Sequence, residues 1–267
     1  MLQDYTLLSD PHLELVEKQT LRVIVQALQE YSREARAIFE NTPAESETEV
    51  IVLTEDLVQY ALEVAESYPI NKRFAGFIDY KRVRWLSTPF GLLPQVLLVD
   101  AKASTENNRE TLQQSQLPMD ADFESKGALV HVPAGLPPHL ALQANGGSTL
   151  LAVTTSIFVH FYYNTLSAHC PPFRRLQSMY ALSLPHQRLK HAYNPDATHT
   201  FFGQGKHSPA RQEAQRIRVY FGRLRASSPW RLQELRYEGD NEYTVPRWRD
   251  ALATGEEVIT EFFFLGR

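Results

Sequence analysis

A mixed central β-sheet flanked by helices, an α/β fold, is what three features of this sequence predict. The first seventy residues repeat apolar side chains at the three-to-four-residue spacing of an α-helix. The middle of the chain carries short runs of Val, Leu and aromatic residues, typical of strands, and the segments between are irregular and rich in Pro and Gly. The 267 residues suit one domain, with a helical part over about 1–70 and a core over about 71–267.

Asp10 followed by Pro11 reads as an N-cap with proline at the first helical position. Leu13, Val16, Thr20, Val23, Ala27, Tyr31, Ala35 and Ile38 then share one face. They predict one long helix, roughly 45 Å at 1.5 Å per residue, ending near Asn41, Thr42 and Pro43. Glu45, Glu47 and Glu49 make an acidic loop. A second helix is expected over 54–67, capped by Thr54 and stopped before Pro69. A strand or hairpin is expected over 74–80 and 81–86, and QVLLVDAKA (95–103) has the composition of a buried central strand. Residues 106–117 read as a helix, and 118–148 has weak periodicity. Further strands are expected over 154–163 (TTSIFVHFYY), 178–184, 216–221 (RIRVYF) and 258–265.

Composition excludes several classes. Hydrophobic residues make up 43% and charged residues 22%, ordinary for a globular chain. The single Cys170 cannot form an internal disulfide or a cysteine-based zinc cluster, which suits a reducing cytoplasm. MLQDYTLLSDPHLE has acids where a secretory leader carries cations, so no leader is expected. The longest apolar run, 150–163, is broken by Thr154, Thr155, Ser156 and His160, so no membrane span is expected. The net charge of −4 hides an asymmetry: residues 1–150 carry 12 Lys and Arg against 21 Asp and Glu, and residues 151–267 carry 15 against 10. Lys206, Arg211, Arg216, Arg218, Arg223 and Arg225 face only Glu213 between 206 and 225. Such a patch is either a solvated basic face or a phosphate-binding one, because local charge sets attraction over a Debye length of roughly 8–10 Å.

The chemistry concentrates in Asp79, Asp100, Ala101 and Lys102. In a strand, residues two apart share a face, so Asp100 and Lys102 project together while Ala101 points to the opposite layer. A buried carboxylate at the end of QVLLV is costly without a partner or a metal. Asp79 closes the neighbouring strand candidate, FAGFID, and pairing of the two strands would bring two carboxylates and an ammonium into one cleft. Paired carboxylates suit Mg²⁺, and Lys102 could hold or deprotonate a water attacking a phosphodiester. D-x-K alone is common, and its bland alternative is a surface ion pair.

These motifs resemble the PD-(D/E)xK nuclease superfamily, and a wider set of segments is similar to the SfiI-like type II restriction endonucleases within it. They include VEKQTLRVIVQALQEYS, YPINKRFAGFIDYKRVRWL, GLLPQVLLVDAKAST, TTSIFVHFYY, GKHSPAR, RIRVYF, PWRLQEL and PRWRD. They run from the first helix almost to the C-terminus, with gaps over 121–150 and 164–176. Ile78 stands where the superfamily's name has proline. The resemblance implies a restriction-endonuclease-like core and Mg²⁺-dependent double-strand cleavage of DNA within an interrupted GC-rich palindrome, GGCC half-sites around an unspecified spacer. It implies a homotetramer of two back-to-back dimers, catalysis by Asp79, Asp100 and Lys102, and metal contacts at Asp79, Asp100 and Ala101.

A GC-rich target needs donors for guanine O6 and N7, the commonest being arginine. Arg216, Arg218 and Tyr220 share one face of RIRVYF, with Ile217, Val219 and Phe221 on the other. Solvated arginines are the bland alternative; the resemblance favours base reading. Arg109, on the helix expected after the catalytic strand, is a further candidate for base reading, and Lys206, in FFGQGKH, is a candidate contact to a DNA phosphate or base. FFGQGKH lacks the G-x-x-x-x-G-K-[ST] spacing of a phosphate loop, so an ATPase is a poor reading.

Other residues receive structural roles. Tyr162, Tyr163 and Phe158 are expected in the core, His160 as a satisfied strand histidine, and Trp230 and Trp248 as packing or interface anchors. Glu55, Glu63 and Glu66 are expected on a solvent face, with an extra metal ligand as the alternative. His169 and Cys170 lack further zinc ligands at useful spacing. Competing functions are a repair or recombination nuclease of the same fold acting on structured DNA, and a DNA-binding protein without catalysis.

Overall fold

The computed structural model describes residues 5–43, 47–70, 80–88, 91–105, 108–143, 147, 149–206 and 216–261. Three helices come first: α1 (Asp10–Glu30), α2 (Ser32–Asn41) and α3 (Glu47–Val64). Nine strands follow: β1 (Tyr68–Pro69), β2 (Tyr80–Thr88), β3 (Gly91–Ser104), β4 (Thr111–Gln114), β5 (Ala121–Ser125), β6 (Ala128–Val132), β7 (His139–Gln143), β8 (Thr149–Thr165) and β9 (Arg174–Leu184). The chain closes with α4 (Lys190–Tyr193), β10 (Phe202–Gln204), β11 (Ile217–Tyr220), α5 (Phe221–Ser227), β12 (Leu232–Arg236), β13 (Arg247–Ala251) and β14 (Glu257–Glu261).

The central sheet runs β1-β2-β3-β8-β9-β12, with β7 also paired to β8. It is mixed, since β3 and β8 are parallel and their neighbours antiparallel. The pleat sorts side chains by parity. Leu97, Val99 and Ala101 of β3 pack with Ile24, Leu28 and Leu62 of the helices, whereas Val96 and Leu98 pack with Leu112, Ile217 and Val219. Those three belong to a smaller sheet, β10-β11-β4, on the opposite face. The helices α1 to α3 therefore flank one side of the central sheet, and a second sheet flanks the other.

Several expected boundaries move. Ser9, not Asp10, caps α1; its hydroxyl accepts the His12 amide. The expected long helix breaks at Tyr31, where the carbonyl of Ser32 accepts the Tyr237 hydroxyl at 2.5 Å. Gln29 beside it exchanges hydrogen bonds with Thr244. Helix α3 starts at Glu47, so Glu47 and Glu49 lie in its first turn, where the helix dipole favours acids. Thr54 is buried mid-helix and bonds the Ile51 carbonyl.

The expected helix over 106–117 is replaced by strand β4 over 111–114, because Thr111 to Gln114 pair in register with Tyr220 to Ile217. Burial alternates along those four residues, and sheet pairing overrides weak helix propensity. The unassigned 118–148 holds the β5–β6 hairpin and β7; the hairpin turns on Lys126 and Gly127, both at positive φ (53° and 77°). β11 stops at Tyr220, and Phe221 opens α5 with its ring in the core. Of the strand expected over 74–80, only Tyr80 is among the described residues; of the last, β14 covers 257–261. No helix among the described residues is long and apolar enough to cross a membrane.

Candidate active site

Strand β3 delivers its polar end onto the face shared with the smaller sheet. Leu93 to Asp100 are buried, so Asp100 arrives as a carboxylate with no solvent exposure at all. Lys102, two residues on and part-exposed, donates from Nζ to Asp100 Oδ1 at 2.9 Å. Gln114 of β4, itself buried, donates from Nε2 to Asp100 Oδ2. A surface ion pair is thereby excluded as the reading of D-x-K. Ala101 points the other way, its methyl in the helix-side core, so its main-chain carbonyl is the donor atom it offers. Asp79 lies outside the described residues; Tyr80, which follows it, pairs with Val99, which precedes Asp100.

A cleft of about 290 Å³ opens beside this pair, lined by Lys102, Ser104, Gln114, His160 and Arg216. His160, in register with Lys102 on β8, shares a 2.7 Å hydrogen bond between Nε2 and Ser104 Oγ. Its Nδ1 has no partner among the described residues, so this histidine is half satisfied rather than satisfied. Burial pushes its pKa down to about 4, and the ring is neutral. Glu63 and Glu66 are exposed as expected, whereas Glu55 is half-buried one turn along α3 from Ile51, which lines the cleft.

The candidate DNA contacts fall on and around β11. Arg218 and Tyr220 are half-exposed on one face, Ile217 and Val219 buried on the other, so the predicted alternation holds. Arg216 precedes the strand and lines the cleft with Lys102. Arg218 Nε is buried with no hydrogen-bond partner among the described residues. Lys206 is exposed just beyond β10, its main-chain N–H held by Gln113 Oε1 at 2.9 Å. Arg109 lies in the turn before β4, not on a helix. Its guanidinium sits 5.1 Å over the Tyr162 ring, and a hydrogen bond to Tyr180 raises its pKa.

The glycines of FFGQGKH have a packing explanation. A Cβ at Gly203 would fall 2.6 Å from the Tyr220 ring, and one at Gly205 would fall 2.6 Å from the Arg216 carbonyl oxygen. They let β10 lie close on β11. The other structural assignments hold where described: Phe158, Tyr162, Tyr163, Trp230 and Trp248 are all buried.

Sequence reasoning missed Gln114 and Ser104. Ser104 continues the Asp100 and Lys102 parity and was there to be read; Gln114 is a neutral side chain that meets Asp100 only through sheet-on-sheet packing.

Comparison with known proteins gives the same picture from outside. A family model described as "Type II restriction enzyme SfiI" matches residues 34–235. The type II restriction enzyme SfiI of Streptomyces fimbriatus is 66% identical over 269 residues, covering 100% of both chains. Among solved structures, tetrameric SfiI bound to cognate DNA superposes with a TM-score of 0.90 at 66% identity, over 100% of both chains. BglI bound to its DNA recognition sequence has a TM-score of 0.64 at 15% identity, over 84% of this chain and 90% of that one, a likeness of fold. Cleft, fold and sequence agree: the chain belongs to the SfiI family of type II restriction enzymes.

Proposed function

We propose that this enzyme hydrolyses both strands of DNA at an interrupted GC-rich palindrome, GGCC half-sites around an unspecified spacer, with Mg²⁺ held by Asp79, Asp100 and the Ala101 carbonyl. The observation that carries the reading is the fully buried Asp100 carboxylate, with the Lys102 ammonium at 2.9 Å on the wall of a cleft shared with Arg216. A carboxylate so placed is a hard oxygen donor, which fits Mg²⁺. When bound, the ion supplies Lewis-acid stabilisation of charge developing on the scissile phosphate and eases ionisation of water near neutral pH.

The chain's own groups do the rest. Asp100, whose two carboxyl oxygens accept from Lys102 and Gln114, supplies the acidic corner of the site. Lys102 Nζ orients the attacking water and faces the phosphate as negative charge grows on it. Arg216, Arg218 and Lys206 read bases or hold phosphates from the neighbouring sheet, and the buried Nε of Arg218, without a hydrogen-bond partner among the described residues, marks a guanidinium with bonding capacity to spare. Arg109, in the turn before β4, is a further candidate contact to the DNA. We assign the enzyme a homotetramer of two dimers on double-stranded DNA, since the 66% identical SfiI was solved as a tetramer on cognate DNA.

Incubation of phage DNA with the protein and Mg²⁺, followed by sequencing of the ends, tests this reading. Discrete fragments ending within interrupted GGCC palindromes are expected; cleavage confined to junctions or flaps, or binding alone, would refute it. Asp100→Asn and Lys102→Ala should still bind the site in Ca²⁺ while cleavage falls by roughly 10²-fold or more.

A further inference from the structure

Strand β4 touches both halves of the cleft. Gln113 and Gln114 are adjacent on it, so their side chains leave opposite faces. Gln113 stands opposite Arg218 in the ladder, and its Oε1 accepts the Lys206 main-chain N–H at 2.9 Å. Gln114 stands opposite Ile217 and is 3% exposed; its Nε2 donates to Asp100 Oδ2, while Lys102 Nζ holds Oδ1. Leu112, Ile217 and Val219 press the smaller sheet onto Val96 and Leu98. Those apolar contacts are non-directional and leave a carboxylate free to turn about its own axis. The Gln114 bond is directional and defines, with Lys102, the plane of the Asp100 carboxylate.

We propose that Gln114 is a positioning residue that aims Asp100 at the metal and ties that aim to the sheet carrying Arg218 and the Lys206 loop. The inference rests on the reading of Asp100 as a metal ligand. A neutral amide suits the role, because it orients the carboxylate without removing the negative charge that the cation needs. Outer partners that hydrogen-bond a metal-binding carboxylate affect metal affinity or activity about 10–100-fold when removed.

Gln114→Leu removes the donor at similar volume. On supercoiled plasmid carrying the cleavage site, this variant should raise the Mg²⁺ concentration for half-maximal single-turnover cleavage by about 10-fold or more. Its affinity for the site in Ca²⁺, read by gel shift, should stay at the wild-type value. A wild-type Mg²⁺ midpoint overturns the proposal. So does a loss of DNA affinity matching the loss of rate, which is what a purely structural residue would produce. Gln114→Met, similar in length but without the donor or a charge, is read the same way and must agree. Asp100→Asn in the same assay separates the two readings. Cleavage at the wild-type rate by that variant removes the metal assignment itself, whereas an inactive Asp100→Asn beside an unaffected Gln114→Leu removes only Gln114.

Discussion

His186 meets Pro138 and Arg188 in a way that fixes its protonation. The Pro138 carbonyl can only accept, so Nε2 donates to it at 2.7 Å; the Arg188 amide can only donate, so Nδ1 accepts it at 3.2 Å. One neutral tautomer satisfies both contacts, and a second proton would destroy the Nδ1 acceptor. Burial, reinforced by the nearby Arg188, holds the pKa below the ordinary imidazole value. The folded state thus refuses a proton that the unfolded chain accepts at about pH 6.5. Stability from this group is present above that pH and is lost as pH falls through it. Wild-type protein should lose more of its urea midpoint between pH 8 and 5.5 than His186→Gln does, the buried His160 being common to both. Residues differ in how much of this the sequence discloses. Asp100 and Lys102 are legible because strand parity is local and puts both on one face. Gln114, like the tautomer of His186, is not, since each depends on a partner brought in from a distant part of the chain.

Elements read well where one period runs long and poorly where pairing decides. The apolar run over 95–103 and the aromatic run over 154–163 became the parallel pair β3 and β8 at the centre of the sheet. β4 was hidden because four residues carry too little period-two signal, and the break at Tyr31 because it depends on hydrogen bonds from Tyr237 and Thr244. The same dependence makes β10 testable. Gly205 donates its N–H to the Arg216 carbonyl at 3.0 Å, and a Cβ there would lie 2.6 Å from that oxygen. Backbone cannot move aside as a flexible side chain can. Gly205→Ala should lower unfolding free energy by about 1–3 kcal/mol in chemical denaturation. Gly222→Ala, on α5 with open space around its Cβ, should instead leave stability unchanged or raise it by up to about 1 kcal/mol. Equal effects at the two glycines would remove close strand approach as the reason for the first.

At the scale of the molecule, the acidic first half and basic second half partly neutralise each other inside the fold. Asp10 meets Arg188 at 2.8 Å, and Glu17 meets Arg231 at 2.8 Å with both side chains fully buried. The charge asymmetry therefore reflects internal pairing as well as the basic segment that includes Lys206, Arg216 and Arg218, a distinction that counting along the sequence could not make. The buried pair ties α1 to the start of β12. Glu17 Oε1 also accepts the His186 amide at 2.7 Å, and the Arg231 guanidinium sits between the Tyr193 and Trp230 rings, 4.2 and 4.3 Å from their centroids. Two charges withdrawn from water gain little net stability as a pair, yet either one alone is costly. Arg231→Leu should therefore destabilise the enzyme by about 3–5 kcal/mol, because it strands the Glu17 carboxylate in the core. Adding Glu17→Leu should recover much of that loss, since two apolar side chains of similar size need no solvation. Urea unfolding of the two single variants and the double variant measures the coupling. Losses that simply add would mean that the two groups are stabilised independently, and that the ion pair does not hold the helical layer to the sheet.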